Sequence, residues 1–567
     1  MKRAGVLLGL LALTVFVTWP DEGIGALTQK ALGHSYGDLA DHYWGTWWFG
    51  RELLDGRFPA TTNLSHYPLE LRLWYVDPLG ALMALPLRGF GFPVAWNALL
   101  LLQVFLTALT AWLAGRDLLG REAAPFVAVV VAGHPYLLGL LHSGLSEYLG
   151  LWPVVLFTWA AVRGLGLDPQ GRPPPARAPW YLGVSLLFCA LQAPYYAVFA
   201  VLWVACCVPG KGWQERLGGV VRGLTRGVVL CLPVAALVGL SLMGAAAVDS
   251  DTAPGWALAE VPATDLLTFF RGGAYYFPDT VSNGNPGILH VNYLGWVALA
   301  LAVFALVKEP LVRPLGRVLG FFSLLAIGPR LAWMQKLPSL SGGPVLLPLA
   351  LLYFPGSPMR MVHQPYRMVA FLIPLLALLA AAGAVRLPRL VRWGALVAVL
   401  AEAVVVSPAV WPIPTMKVVV PTIFEQIDDE GAVLDWPPDA TTWNRHYMTW
   451  QLGHERPIPY GVNVWLDEEL RADPLVGMLL RALEDPKRRA RNRDVAFPSQ
   501  LIVPVNDGRT QLAEWGFTHV VVHKGGLSNL EWGRTKNLLR QAHGDPVAED
   551  RKHAAWDTRK DPAPPGR

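Results

Sequence analysis

Long apolar runs, each closed by a polar or basic turn, fill the chain up to about residue 414. Met1-Lys2-Arg3 precedes a run from Ala4 to Trp19, and further runs lie at 78–115, 124–141, 147–163, 180–207, 219–247, 291–307, 315–332, 367–385 and 393–413. Most match the roughly 20 residues that a helix needs to cross a bilayer. Two allow more than one reading. The run 78–115 fits two crossings, or one helix over 94–115 preceded by a half-inserted segment. The run 180–207 fits one crossing, or two short helices joined at Gln192–Tyr196. Basic residues favour the cytoplasmic side and arbitrate between these readings. One crossing in the first run and two in the second place Arg116/Arg121, Arg163/Arg172/Arg177, Lys211/Arg216/Arg222/Arg226, Lys308/Arg313/Arg317 and Arg386/Arg389/Arg392 inside. The pattern predicts a mainly α, polytopic transmembrane helical bundle of about eleven spans. No small-x-small cleavage site follows Trp19-Pro20-Asp21-Glu22, so the first run reads as an uncleaved span with a cytoplasmic N-terminus.

This topology collects the loop 21–77, the turn His142–Tyr148, the turn Gln192–Tyr196 and the loops 248–290 and 330–366 on the outer face. The chain then changes character. Strand-like runs at Gly431–Asp435 and His519–His523 flank a charged helical stretch over 467–493. The predicted organisation is a transmembrane core over 1–414 with the outer loop 21–77, a small extracytoplasmic α/β domain over 415–545, and a disordered polar tail over 546–567.

Composition agrees and narrows the class. Of 567 residues, 53% are hydrophobic and only 16% charged, against about a quarter charged in soluble domains. Mean hydropathy is +0.35. Disorder, a coiled coil and an ordinary soluble enzyme are excluded. The net charge of +5 points to no nucleic-acid partner, because the core's basic residues fall largely in turns that set membrane orientation. The four cysteines, Cys189, Cys206, Cys207 and Cys231, all lie in apolar runs and encode neither a disulfide framework nor a thiolate metal site. No Walker-type loop, His-Glu-x-x-His or dinucleotide glycine motif occurs, and no nucleotide cofactor is expected.

The first outer loop carries the densest chemistry. Asp38 and Asp41 are three residues apart and share a helical face, followed by Trp44, Trp47 and Trp48. The tryptophans fit a helix lying at the membrane interface. The acids suit a general base toward a hydroxyl or amine, or a divalent ion, or simply a solvated polar face. Arg360 and Arg367, with His363 between them, stand before the run 367–385; guanidinium forks suit phosphate, and also anchor helix ends at headgroups. His142, Glu147, Tyr195, Tyr196 and Arg271 face the same side and are candidates for binding a substrate's hydroxyls and ring faces. Glu402, in the last run, reads as a hydrogen-bonded acid or one near the interface.

Further motifs join these. They are Gly37-Asp38, Leu53-Leu54-Asp55-Gly56-Arg57-Phe58-Pro59, Asn97 at the start of the next helix, Gly328-Pro329, Leu337-Pro338, Arg360 with Pro365-Tyr366-Arg367, Val433-Leu434-Asp435-Trp436-Pro437 and Gly516–Val522. In this order they resemble the GT-C superfamily of polytopic membrane glycosyltransferases, and within it the bacterial YfhO-like group. The likeness spans most of the chain. The sequence departs from it at the second outer acidic position, where Glu147 is the only acid in its turn. The resemblance implies a bacterial cytoplasmic membrane protein. It implies transfer of a sugar, with inversion, from a polyprenyl-phosphate donor to a glycan, lipid or protein acceptor on the extracytoplasmic face. It implies Asp38 as the base, with Asp41 second. The competing expectation is a non-catalytic lipid or glycan transporter, or an envelope-assembly scaffold, on the same architecture.

Overall fold

The computed structural model describes residues 3–35, 37–72, 77–208, 212–244, 261, 263–271, 276–277, 291–334, 336–340, 342–354, 357–362, 364–427, 430–438, 443–461, 466–483 and 511–560. Helices occupy the apolar runs. In chain order come α1 (Arg3–Val17), strand β1 (Lys30–Leu32), α2 (Leu39–Leu54), α3 (Pro78–Ala84), α4 (Phe92–Leu119), α5 (Ala124–Ala132), α6 (Pro135–Ser143), α7 (Ser146–Leu149) and α8 (Trp152–Gly164). There follow α9 (Ala178–Gln192), α10 (Pro194–Cys207), α11 (Trp213–Gly244), α12 (Trp296–Lys308), α13 (Arg313–Ala326), α14 (Val369–Ala384) and α15 (Arg389–Val406). Proline stands in the first turn of α3 to α6, α8 to α10 and α13, where its missing N–H leaves no intrahelical bond unmade. The same residue sets the breaks. Ala193 is extended ahead of Pro194, which separates α9 from α10. Gly133-His134-Pro135 splits the run 124–141 into α5 and α6.

Three stretches among the described residues, Phe92–Leu119, Ala124–Ser143 and Pro365–Ala384, are long and apolar enough to cross a membrane. Ala4–Val17, Ala178–Gln192, Pro194–Cys207 and Trp296–Lys308 are apolar but shorter. At 1.5 Å per residue such helices reach only about 20–23 Å, short of a hydrocarbon core of about 30 Å. The helix lengths therefore do not carry the expected count of about eleven spans. Helix α14 is buried along every residue and sits at the centre, packed by α5, α8, α12 and α13. Glu402 resolves as a hydrogen-bonded acid. It accepts the N–H groups of Trp296 (2.6 Å) and Val297 (3.0 Å) and so caps the start of α12 from the neighbouring α15.

Beyond α15, β2 (Thr415–Lys417) pairs antiparallel with β1 and ties the first loop to the later chain. Then follow β3 (Ala432–Trp436), α16 (Trp443–His454), α17 (Glu468–Ala472), α18 (Pro474–Ala482), β4 (Phe517–His523), α19 (Asn529–His543), β5 (Ala548–Glu549) and β6 (His553–Asp557). Four strands form one sheet in the order β5-β6-β4-β3, with β3 and β4 parallel and the other pairs antiparallel. A reciprocal Ser528–Glu531 capping box starts α19.

Two expectations are corrected. The tail over 546–567 was expected to be disordered, yet β5 and β6 lie in it and belong to the sheet. Ala554, Ala555 and Trp556 are fully buried there, a short apolar core that flanking Lys552, Asp557 and Arg559 disguise in the sequence; residues 561–567 lie outside the described set. Helix α2 does not present a solvated polar face. It is buried on nearly every face, and Trp44, Trp47 and Trp48 pack with Ile423, Tyr447 and Trp450 of the later chain.

Candidate active site at the start of helix α2

The chain bends sharply to place α2. Asn97 of α4 accepts the N–H of Leu32 (2.8 Å) and donates to the carbonyls of Leu27 and Lys30 (both 2.7 Å), fixing the segment that leads into the helix. His34 N–H donates to the His142 carbonyl (2.7 Å). Gly144 closes α6 in the left-handed conformation at φ 71°, and a Cβ there would lie 2.5 Å from the Cβ of Leu39. That close approach sets the first residue of α2 against the turn that carries Glu147.

Asp38 immediately precedes α2, but its carboxylate makes no capping bond to the helix. Its Oδ1 instead accepts from Nη2 of Arg445 in α16 at 3.0 Å, and 28% of its side chain remains accessible. Burial raises its pKa above the ordinary aspartate value, opposed by the Arg445 and Arg367 guanidinium charges. Asp41, one turn on, is only 9% exposed. Burial pushes it up to about 7 against the pull of Arg445, with Asp38 adding repulsion. His42 is driven down to about 3 by burial and by Arg367, so it is neutral at physiological pH.

The second half of the cluster comes from the turn after α6 and from Arg367. Glu147 lies 3.7 Å from Arg367 Nη1. Burial raises Glu147 to about 7, with Arg367 and a Tyr148 hydrogen bond opposing. Arg367 donates to the Tyr148 hydroxyl, and its guanidinium carbon stands 3.8 Å from the Tyr148 ring centroid and 5.6 Å from that of Tyr195. Its Nε is buried without a partner among the described residues. Tyr196 donates to the Tyr148 carbonyl at 2.6 Å and braces the ring from behind.

A polar network underlies this turn. Gln192 donates to the Glu147 carbonyl (3.1 Å) and to Asp77 Oδ1 (3.2 Å), while Gln103 donates to Gln192 (3.2 Å). Trp152 donates to Gln103 at 2.9 Å. Asp77 is fully buried, and its Oδ1 also accepts the Gly80 N–H (2.8 Å). Burial holds its pKa well above the aspartate range, with Glu147 adding to the rise.

Of the candidates read from the sequence, Asp38, Asp41, Glu147, Arg367 and Tyr195 converge, with Tyr196 behind them. His142 stacks on His34, ring centroids 5.1 Å apart, on the flank of the cluster. Arg360 sits on the turn Pro358–Met361, while Glu147 is contacted by Arg367 and Asp38 by Arg445. Arg271 is exposed after the turn Leu266–Phe269. His363 lies outside the described residues. Sequence reasoning missed Arg445, Tyr148, Asp77 and Gln103. Among the described residues no group of three or more His, Cys, Asp and Glu side chains is placed to hold a metal ion.

No family model and no curated protein matches the chain. Solved structures do match it. ArnT from Cupriavidus metallidurans in the apo state aligns over 99% of both chains at 13% identity, with a TM-score of 0.50. Arabinofuranosyltransferase AftD from Mycobacteria aligns over 98% of this chain but 40% of its own, at 15% identity and a TM-score of 0.49. The Archaeoglobus fulgidus oligosaccharyltransferase aligns over 96% of this chain and 72% of its own, at 10% identity and a TM-score of 0.47. At 13% identity the ArnT likeness shows the fold alone.

Proposed function

We propose that the chain is a membrane glycosyltransferase of the GT-C type. It moves a sugar from a polyprenyl-phosphate donor to an acceptor on the extracytoplasmic face of a bacterial cytoplasmic membrane, with inversion. The YfhO-like resemblance belongs to this reading. The observation that carries it is Asp38, a partly accessible carboxylate paired with Arg445 from a distant part of the chain at 3.0 Å and within the influence of the Arg367 charge.

The chemistry follows from charge. Glycosyl transfer builds positive charge on the sugar and negative charge on the departing phosphate. Asp38 takes the proton as the acceptor oxygen attacks the anomeric carbon. The bond from that carbon to the phosphate oxygen breaks, and its electron pair leaves with the phosphate. Arg367, whose buried Nε has no partner among the described residues, offsets that charge. Arg445 opposes the rise in the Asp38 pKa that burial causes. Glu147, braced by Arg367 and Tyr148, is placed to accept a sugar hydroxyl. Deleting the gene in its host and profiling lipid-linked sugars and glycans by mass spectrometry tests the reading. Accumulation of one polyprenyl-phosphate sugar with loss of one glycan is expected, and an unchanged profile contradicts it.

A further inference from the structure

A cavity of about 110 Å³ opens between α10, α11 and α13, at the opposite end of the fold's predicted topology from Asp38. Arg216, Arg317, Cys206, Cys207, Val318 and Phe321 are among its walls, and no carboxylate lines it among the described residues. Arg216 Nη1 donates to the Cys207 carbonyl at 3.3 Å, which holds the guanidinium at the wall. Two acids adjoin the lining in sequence: Asp168, engaged by Arg163 and Arg172, and Glu215, exposed in the first turn of α11 and not among the lining residues. Arg216 and Arg317 lie in the opening turns of α11 and α13, so two positive helix ends add to two positive side chains.

Below the arginines the surface turns apolar and stays exposed. On α13, Phe321 and Leu324 continue from Arg317 at helical spacing; on α11, Leu217, Val221, Val228 and Leu232 form an exposed stripe turned about 100–160° around the helix from Arg216. We infer that this cavity binds the phosphodiester headgroup of an anionic glycerophospholipid of the cytoplasmic leaflet, with its acyl chains along these stripes. A soluble anion accounts for the arginines and not for the stripes. A docked apolar helix accounts for the stripes and not for the cationic cavity. The inference needs the membrane reading of α10, α11 and α13, and is independent of the transferase reading.

The test uses the full chain in mild detergent with an equimolar mixture of phosphatidylglycerol and phosphatidylcholine. Native mass spectrometry counts the lipids retained. The wild type is expected to keep one phosphatidylglycerol in preference to phosphatidylcholine. Arg216→Gln with Arg317→Gln is expected to lower that preference by about fivefold per arginine removed. Arg121→Gln with Arg389→Gln removes the same charge from exposed sites on the same predicted face and is expected to leave it intact. No preference in the wild type overturns the inference, whether or not the variants fold. Equal loss in both variant pairs also overturns it, because diffuse surface charge then accounts for the binding.

Discussion

At Asp38 burial disfavours the ionised carboxylate while Arg445 and Arg367 favour it, and the balance still leaves the pKa raised. Removing Arg445 takes away a lowering influence, so the pKa rises further. Arg445→Gln is therefore expected to move the acid limb of the rate profile to higher pH, with a larger loss at pH 6 than at pH 8, and Arg445→Lys to restore part of it; an unmoved limb contradicts the pairing. Asp41 separates stability from catalysis. Its folded pKa of about 7 lies above the ordinary 3.8, so ionisation favours the unfolded chain. That cost is absent below about pH 4, grows towards pH 7 and is complete above it. Asp41→Asn is expected to raise the thermal midpoint at pH 8 and leave it unchanged at pH 4; a difference independent of pH contradicts this. The spacing of Asp38 and Asp41 was legible in the sequence. Arg445 was not, because its partner lies 407 residues away and nothing local marks such a pair. Asp77 and Gln103 escaped for another reason: each is a single polar residue at the edge of, or inside, an apolar run, which reads as a boundary or an exception until its partners are known.

Helix α2 shows how an element can be recognised and yet misplaced. Acids and three tryptophans at helical spacing suit an interfacial helix as well as a buried one. The partner that decides between them is α16 with the residue after it: Trp44 Nε1 donates to Gln451 Oε1 at 2.6 Å, and Arg51 pairs with Glu455, just past the helix, at 2.9 Å. What holds α2 at the site is the approach of Leu39 to Gly144. Gly144→Ala puts a Cβ into that contact and is expected to lower transfer by about tenfold to a hundredfold through misplacement of Asp38. Gly56→Ala is the control. Its glycine has nearly the same backbone strain, φ 72° against 71°, but nothing within 4 Å of the added carbon, so activity is expected to persist. Equal effects of the two substitutions on transfer contradict the positioning role. The breaks at Ala193 and before α4 were legible because proline and glycine act locally; the strands β5 and β6 were not, since a strand of few apolar residues is recognisable only beside its partners.

Across the whole molecule, the later chain is not an appendage to the helical core. β2 pairs with β1, α16 covers α2, and Arg445 reaches the acid at the head of α2. Hydropathy made the helical class and the position of most helices readable, because a helix among apolar neighbours needs only length and composition to declare itself. It did not reveal that the first loop and the sheet-bearing segment share one apolar cluster, which depends on contacts between distant segments. The central claim is that Asp38 is the base of a sugar transfer. The most direct measurement compares wild type and Asp38→Asn, reconstituted in liposomes with the lipid-linked sugar that accumulates in the deletion strain, and follows product by mass spectrometry. The account predicts a loss of transfer of about a hundredfold to ten-thousandfold, with expression, monodispersity and thermal midpoint retained. Transfer by Asp38→Asn at the wild-type rate would contradict it.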